Sequence, residues 1–395
     1  MTTVSYVGRR RAASAYPLPL SLRAVVPIWG TFTALRWLVA LTVGHLATPD
    51  DTFAGTTGLR ALLGTWDAGI FLAIADGGYP LDDDPFRAAF FPGWPVAERA
   101  ASWPLSLLVD QEAALVGAGV LLTTGLSLVA ALLLHRIAHA QFGREAASWA
   151  VVLLMAWPSA AFLTTLYSES LYLVAAMGAW LLATQRRWTT AGLLCGVASF
   201  TRVTGVFLCV ALVVMYLTTV ARGRQRFRWV DVGGVLLGGW GVVVYFAYLF
   251  ATTGDLLAWS HSQAAGWDRR TVAPWSSLQA TWALMTSTEL DNADWRWQML
   301  ADIVIVLVVA ALAVVMAIRR YWPELTLTVL TLGTVITSTS YISVTRYTLS
   351  VFPLMILGGS LLSRLRRRRA VVIAGVSTVW MSGVMGAFAL GYWAG

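Results

Sequence analysis

The sequence predicts an all-α polytopic membrane protein, with about eleven transmembrane helices and two sizeable extracytoplasmic loops. Three observations predict it. Hydrophobic residues make up 58% of the 395 positions and charged residues only 12%, with a mean hydropathy of +0.68, where soluble domains carry roughly twice that charge fraction. Apolar segments long enough to span a bilayer recur along the chain. Basic residues, all of them arginine, gather in alternate connections, as cytoplasmic loops do. The net charge of +8 is therefore a topology signal and no evidence for a nucleic-acid partner.

Taken in order, Arg9-Arg10-Arg11 and Arg23 precede an apolar run over 24–47. That run is longer than the roughly 7–15 residues of a signal-peptide core, so it is expected to stay as an uncleaved first helix. Further spans are expected at 111–134, 146–166, 168–184, 230–252, 299–318, 323–341, 346–362 and 371–392. The stretch 189–219 is too long for one ordinary span, and Thr201-Arg202 interrupts it. Loop charge decides its reading. Basic clusters fall at 9–11, at Arg136 and Arg144, at Arg186-Arg187, at 222–228, at Arg319-Arg320 and at 364–369. All face the cytoplasm only if 189–219 folds into two short helices turning at Thr201-Arg202. This gives eleven spans, the N-terminus inside and the C-terminus outside. The whole chain, 1–395, reads as a single transmembrane domain, with outer loops at about 48–110 and about 253–298. The Arg366–Arg369 run reads as an orientation signal touching anionic lipid headgroups. Cys195 and Cys209 lie in apolar segments and read as packing residues.

The topology puts the polar, motif-like segments on one membrane face. The first outer loop carries Asp50, Asp51, Asp67, Asp76, Asp82, Asp83, Asp84 and Glu98 against Arg60, Arg87 and Arg99; the second carries Asp255, Asp268, Glu289, Asp291 and Asp294. Between Trp66 and Ala75 a short amphipathic helix is expected, with Trp66, Ile70, Phe71 and Ile74 along one face and Asp67 beside it. Such a helix on a membrane surface holds Asp67 at headgroup level, as a functional carboxylate or as a mere cap. Asp76 sits in a Gly-Gly turn, where a structural role competes with a chemical one. Asp82-Asp83-Asp84 is either a divalent-cation site or solvated surface. Phe90-Phe91-Pro92-Gly93-Trp94-Pro95 reads as a second surface-lying segment bordering a lipid entrance. Glu169 stands at a membrane boundary, where an acid is either functional or a helix-start residue. Arg202, lodged in apolar sequence, either contacts phosphate or pairs with Glu169 or Asp67. Arg346 at a helix start opposes the helix dipole and calls for an anionic partner, a protein carboxylate or a phosphate. His261 and Gln263 are placed to hydrogen-bond a phosphate or sugar hydroxyls. His135 and His139 read as a solvated helix end, and the four histidines have no zinc spacing. Neither a P-loop nor a strand-linked GxGxxG occurs, so no nucleotide is implied.

These segments, in order, resemble the GPI mannosyltransferase II (PIG-V) family of GT-C integral-membrane glycosyltransferases. Trp66-Asp67, Ile74-Ala75, Gly78-Tyr79 and Ala89–Pro95 are similar to its first outer loop. Ser168-Glu169, Thr201-Arg202 with Gly205, Gly254-Asp255 through Gln263, Arg346-Tyr347 and Phe352-Pro353 are similar to later segments, although Gly266 precedes Trp267, the reverse of the family's order. The resemblance implies a GT-C-like fold and a polyprenyl-phosphate-mannose donor, with a lipid or glycan acceptor on the extracytoplasmic side. It implies inversion of the anomeric centre, with Asp67 as general base and Arg202 and Arg346 on the leaving lipid phosphate. Glu169, His261 and Gln263 would orient substrates. By their own chemistry, Asp76 is the runner-up carboxylate for the base and Trp66 reads as a wall or an interfacial anchor. No cofactor follows from it, and a divalent metal is expected only if Asp82–Asp84 binds one. A lysine-free, compact chain suits a bacterial plasma membrane. The alternative is a flippase or transporter of a lipid-linked sugar, whose polar groups would sit at midplane in two related halves; no half-repeat is evident. A membrane scaffold would explain the topology but not the ordered motifs.

Overall fold

A computed structural model describes residues 21–47, 63–287 and 293–393. Arg9-Arg10-Arg11, Asp50, Asp51, Arg60, Glu289, Asp291 and the side chain of Asp294 lie outside that description. The regular secondary structure of the described residues is helical, with no strand among them. In chain order the helices are α1 (Leu22–Leu46), α2 (Asp67–Gly77), α3 (Gly93–Ser102), α4 (Gln111–Phe142), α5 (Arg144–Met155), α6 (Glu169–Thr184), α7 (Trp188–Thr201) and α8 (Thr204–Ala221). There follow α9 (Trp229–Leu236), α10 (Trp240–Thr253), α11 (Ala258–Trp267), α12 (Pro274–Thr286), α13 (Ala293–Ile318), α14 (Trp322–Ile336), α15 (Val344–Leu349), α16 (Phe352–Leu362) and α17 (Arg367–Ala389).

Six stretches among these residues are long and apolar enough to cross a bilayer: 22–46, 111–142, 204–221, 229–253, 296–318 and 367–389. The other expected spans fall on shorter helices, and the reason is local. The segment expected at 146–166 leaves the α-helix after Met155, because Pro158 lacks the N–H that the next turn needs. The hairpin expected in 189–219 is present, and Arg202 at its turn is extended (φ −153°, ψ 147°). Gly205 is required there, since a Cβ would lie 2.2 Å from the Ser199 nitrogen. The segment expected at 346–362 is cut between α15 and α16, and Ser343 ahead of it has φ 70°. At 1.5 Å per residue, α7 with its 14 residues and α16 with 11 extend about 21 and 16 Å, short of a ~30 Å hydrocarbon core. These part-length helices end where the polar residues gather.

An unwound segment within a bundle must pair its freed carbonyls. Arg36, fully buried on α1, does this for the α5 end, donating from Nη1 to the Met155 carbonyl (2.9 Å) and from Nε to Thr164 Oγ1 (2.6 Å). Ser377 Oγ donates to the Ala156 carbonyl at 2.6 Å. A single long helix cannot bend so sharply, which is why the chain spends a buried arginine on the break.

The segment between α1 and α4 packs tightly onto this bundle from residue 63 onward. Phe90, Phe91 and Trp94 are buried, so the expected surface-lying segment is an inner wall instead. Its apolar residues are drawn in by aromatic contacts: Phe91 packs on Tyr245 with centroids 5.0 Å apart, and Tyr79 and Tyr245 both donate to the Phe90 carbonyl at 2.8 Å. Gly93 lets α3 press onto the hairpin turn, where a Cβ would meet Thr201 Oγ1 at 2.5 Å. Pro95 and Val96 do border an apolar groove of about 640 Å³, shared with Ile74, Tyr79, Phe200 and Tyr248. His135 differs from expectation: α4 continues past residue 134 to Phe142, and the His135 side chain is buried beside His139.

Candidate active site

The site forms where α2, α6, the α7–α8 turn and α15 converge. Asp67 and Glu169 each open a helix, so both carboxylates sit at the positive end of a backbone dipole. Asp67 belongs to the buried face of α2, with Ala68, Phe71, Ile74 and Ala75, rather than beside that face. The expected face of Trp66, Ile70, Phe71 and Ile74 is rotated because Trp66 precedes the helix, in a left-handed conformation (φ 57°, ψ −140°). Asp67 is buried where α2 begins. Its carboxylate is turned inward.

Arg346 on α15 links the two acids. It donates from Nη1 to Asp67 Oδ2 and from Nε to Glu169 Oε1, both at 2.5 Å. Arg202 donates to the same Glu169 Oε1 at 2.5 Å and to Ser168 Oγ at 3.1 Å. Phe162 and Tyr167 face the Arg346 guanidinium at 4.9 and 4.6 Å from its carbon, with Trp393 at 5.9 Å. The cation is thus held by charge on one side and ring faces on the other. Glu169 is wholly buried and Arg346 nearly so. Breaking such a pair from one side leaves an uncompensated charge, at a cost of about 3–5 kcal/mol. Arg346 takes only one oxygen of Asp67, and Oδ1 accepts no hydrogen bond among the described residues.

A narrow cleft of about 90 Å³ runs beside these groups, lined by Asp67, Arg202 and Arg346 and by aromatic side chains including Phe90, Trp259 and Trp267. Gln263 lines it too, donating to the Ala89 carbonyl at 3.2 Å. The remaining expected residues are elsewhere. His261 is two-thirds exposed and bonded to Asp255 at 2.7 Å. Asp76 is 60% exposed at the far end of α2 and pairs with Arg99 at 3.2 Å. Trp66 donates to the Gly391 carbonyl at 2.8 Å and packs on Trp393, tying α2 to the C-terminal segment. Asp84 pairs with Arg87 at 3.0 Å, and no group of three or more His, Cys, Asp or Glu suited to a metal occurs among the described residues.

Arg269, Tyr347 and Trp393 line the cleft and carried no expected role. Arg269 and Tyr347 share a short hydrogen bond, and Arg269 also donates to Gln263 Oε1 at 3.3 Å. Tyr347 belongs to the quoted Arg346-Tyr347 pair and Arg269 follows Trp267 by two positions, so proximity was a usable signal. Trp393 had none, being remote in sequence from every motif.

A sequence model described as mannosyltransferase (PIG-V) matches residues 54–268. GPI alpha-1,6-mannosyltransferase 2 of Cricetulus griseus is 35% identical over 156 residues, which are 38% of this chain and 30% of that one. The chain therefore spans under a third of that relative's length. Among solved structures, ArnT from Cupriavidus metallidurans bound to undecaprenyl phosphate superposes with a TM-score of 0.48 at 17% identity, covering 89% of this chain and 63% of that one. With the family match extending over more than half of the 395 residues and including Asp67, Glu169 and Arg202, the chain belongs to the mannosyltransferase (PIG-V) family.

Proposed function

We propose that this protein is a membrane glycosyltransferase that moves mannose from a polyprenyl-phosphate-mannose donor to a lipid or glycan acceptor on the extracytoplasmic face. The observation that carries the reading is the Asp67 carboxylate, anchored through Oδ2 by Arg346 and open at Oδ1 beside a cleft lined by guanidinium groups. Family membership supports the sugar and the reaction class.

In this reading Asp67 Oδ1 takes the proton from the acceptor hydroxyl as its oxygen forms a bond to the anomeric carbon. The bond from that carbon to the phosphate oxygen breaks, and its electron pair leaves with the polyprenyl phosphate. The configuration inverts. The leaving phosphate goes from one negative charge to two, so cations beside it favour the transition state over the bound donor. Arg346 holds the base in place, Glu169 holds Arg346 and Arg202, and the apolar groove beside α2 and α3 offers room for a hydrocarbon chain.

The test compares wild type with Asp67→Asn, purified in lipid, with radiolabelled polyprenyl-phosphate mannose and a membrane-lipid extract as acceptor. Asparagine is nearly isosteric and keeps an oxygen for Arg346. Transfer by wild type with a loss of at least about a hundredfold in the variant is expected, the size of a missing general base. Equal transfer by both removes Asp67 from the chemistry. No transfer by wild type, but movement of the lipid-linked sugar across the bilayer, would identify a flippase instead.

A further inference from the structure

The charges of the cleft do not cancel, and the imbalance has a location. Starting from Asp67, the groups alternate in sign: Asp67, Arg346, Glu169 and Arg202, each within 2.5 Å of the next. The two carboxylates thereby neutralise the two guanidinium groups. Tyr347 follows, with its ring below Arg202 at 5.9 Å and below Arg269 at 5.3 Å. Arg269 ends the series. Its hydrogen-bond partners, the Tyr347 hydroxyl and Gln263 Oε1, are neutral, and both bonds use Nη1. Nε and Nη2 have no partner among the described residues. The neighbouring acid does not serve it, because Asp268 pairs with Arg270 at 2.9 Å.

A guanidinium is held here, half-buried, on the face of the Trp267 ring (5.6 Å) and of Tyr347. These ring contacts and the two Nη1 hydrogen bonds hold the group and leave one edge of two N–H donors, Nε and Nη2, open, the geometry that receives two oxygens of a phosphate. We infer that Arg269, braced by Tyr347, Gln263 and Trp267, is a phosphate subsite of this cleft and binds the phosphate of a polyprenyl-linked lipid. The assignment rests on the donor class proposed above. It moves the phosphate away from the expected Arg202 and Arg346, which serve the carboxylates. It also separates the two tasks of the reaction, with the proton taken at the Asp67 end of the series and the leaving group held at the Arg269 end.

The test is equilibrium binding of a radiolabelled polyprenyl monophosphate and of the corresponding polyprenol to the full chain in lipid nanodiscs. Wild type is expected to bind the phosphate at least about tenfold more tightly than the alcohol, and Arg269→Gln to lose about ten- to hundredfold in phosphate binding, the range of a charged hydrogen bond, with alcohol binding unchanged. Unchanged alcohol binding also shows that the variant is folded. If glutamine does not fold, Arg269→Lys decides: loss of the two-point contact should lower phosphate binding about tenfold, and an undiminished preference overturns the subsite. A full preference retained by Arg269→Gln likewise overturns it while leaving the lipid-phosphate donor standing. Wild type with no preference for phosphate over alcohol overturns both.

Discussion

Glu98 gives the protein a stability that should fall as pH rises. It lies on the buried face of α3, outside the stretches long and apolar enough to cross a bilayer, fully inaccessible, and neither carboxyl oxygen has a hydrogen-bond partner among the described residues. Gly119 of α4 makes room for it: a Cβ there would meet Glu98 Oε1 at 2.4 Å. Burial alone pushes the carboxyl up from 4.5 to about 8. The folded state therefore binds a proton more tightly than the unfolded chain, so stability is full below about pH 4.5, falls through the interval, and levels off above about pH 8. At ~1.4 kcal/mol per unit, the loss between pH 5 and pH 9 comes to about 4 kcal/mol. For a chain of 395 residues that is ~5 °C in Tm, taking roughly 1.2 °C per kcal/mol from about 2.1 cal/mol/K of unfolding entropy per residue. The assay is thermal unfolding in a fixed detergent from pH 5 to pH 9 for wild type and Glu98→Gln. Wild type should lose several degrees across the range, whereas the variant, which cannot ionise, should be nearly flat and the more stable of the two at pH 9. A variant that keeps the wild-type slope would refute the reasoning, since the titrating group would then be elsewhere.

Other perturbations follow from the same contacts. Glu169→Gln removes the charge that two buried arginines share and should lower stability by about 3–5 kcal/mol, seen as a Tm drop that is independent of donor lipid. Trp66 has φ 57°, so Trp66→Gly should be about 1 kcal/mol more stable than Trp66→Ala, although both lose the Trp393 contact; an alanine variant of equal or higher Tm would show that the backbone is not strained there. Asp76→Asn, at an exposed pair with Arg99, should change stability by less than about 1 kcal/mol by the same thermal assay.

Composition and loop charge made the helical membrane architecture legible, and Thr201-Arg202 announced the hairpin because an arginine inside apolar sequence needs a structural reason. What periodicity does not report is where an apolar run stops being helical. The break after Met155 leaves hydropathy nearly unchanged, since Ala160, Phe162 and Leu163 remain apolar while the backbone unwinds. The partner of a buried charge was legible only as a choice. Arg202 was expected to meet either phosphate or an acid, and Arg346 likewise, yet nothing in sequence spacing says that both meet Glu169. Burial of Asp67 depended on where α2 begins, which is set by Trp66 at φ 57° and by the C-terminal segment packed on it. The burial of Arg36 and of Glu98 was not legible, for opposite reasons: one is a lone basic residue in a first helix, the other one acid among many in a polar segment.

The ion-pair series also argues for how the site comes together. Its links join positions 279, 177 and 33 residues apart, and the central cation, Arg346, lies well beyond the family-matched segment ending at 268. Without α15, Glu169 would keep Arg202 but Asp67 would have no cation, leaving a carboxylate in a largely apolar wall. Such a state is costly enough that the cleft cannot close until the late helices have packed. The buried network is then less a source of net stability than a condition on the fold: an arrangement that puts Asp67, Glu169 and Arg202 inward without Arg346 is penalised by several kcal/mol. On this view the arginine that holds the proposed base also reports that the bundle around it is complete.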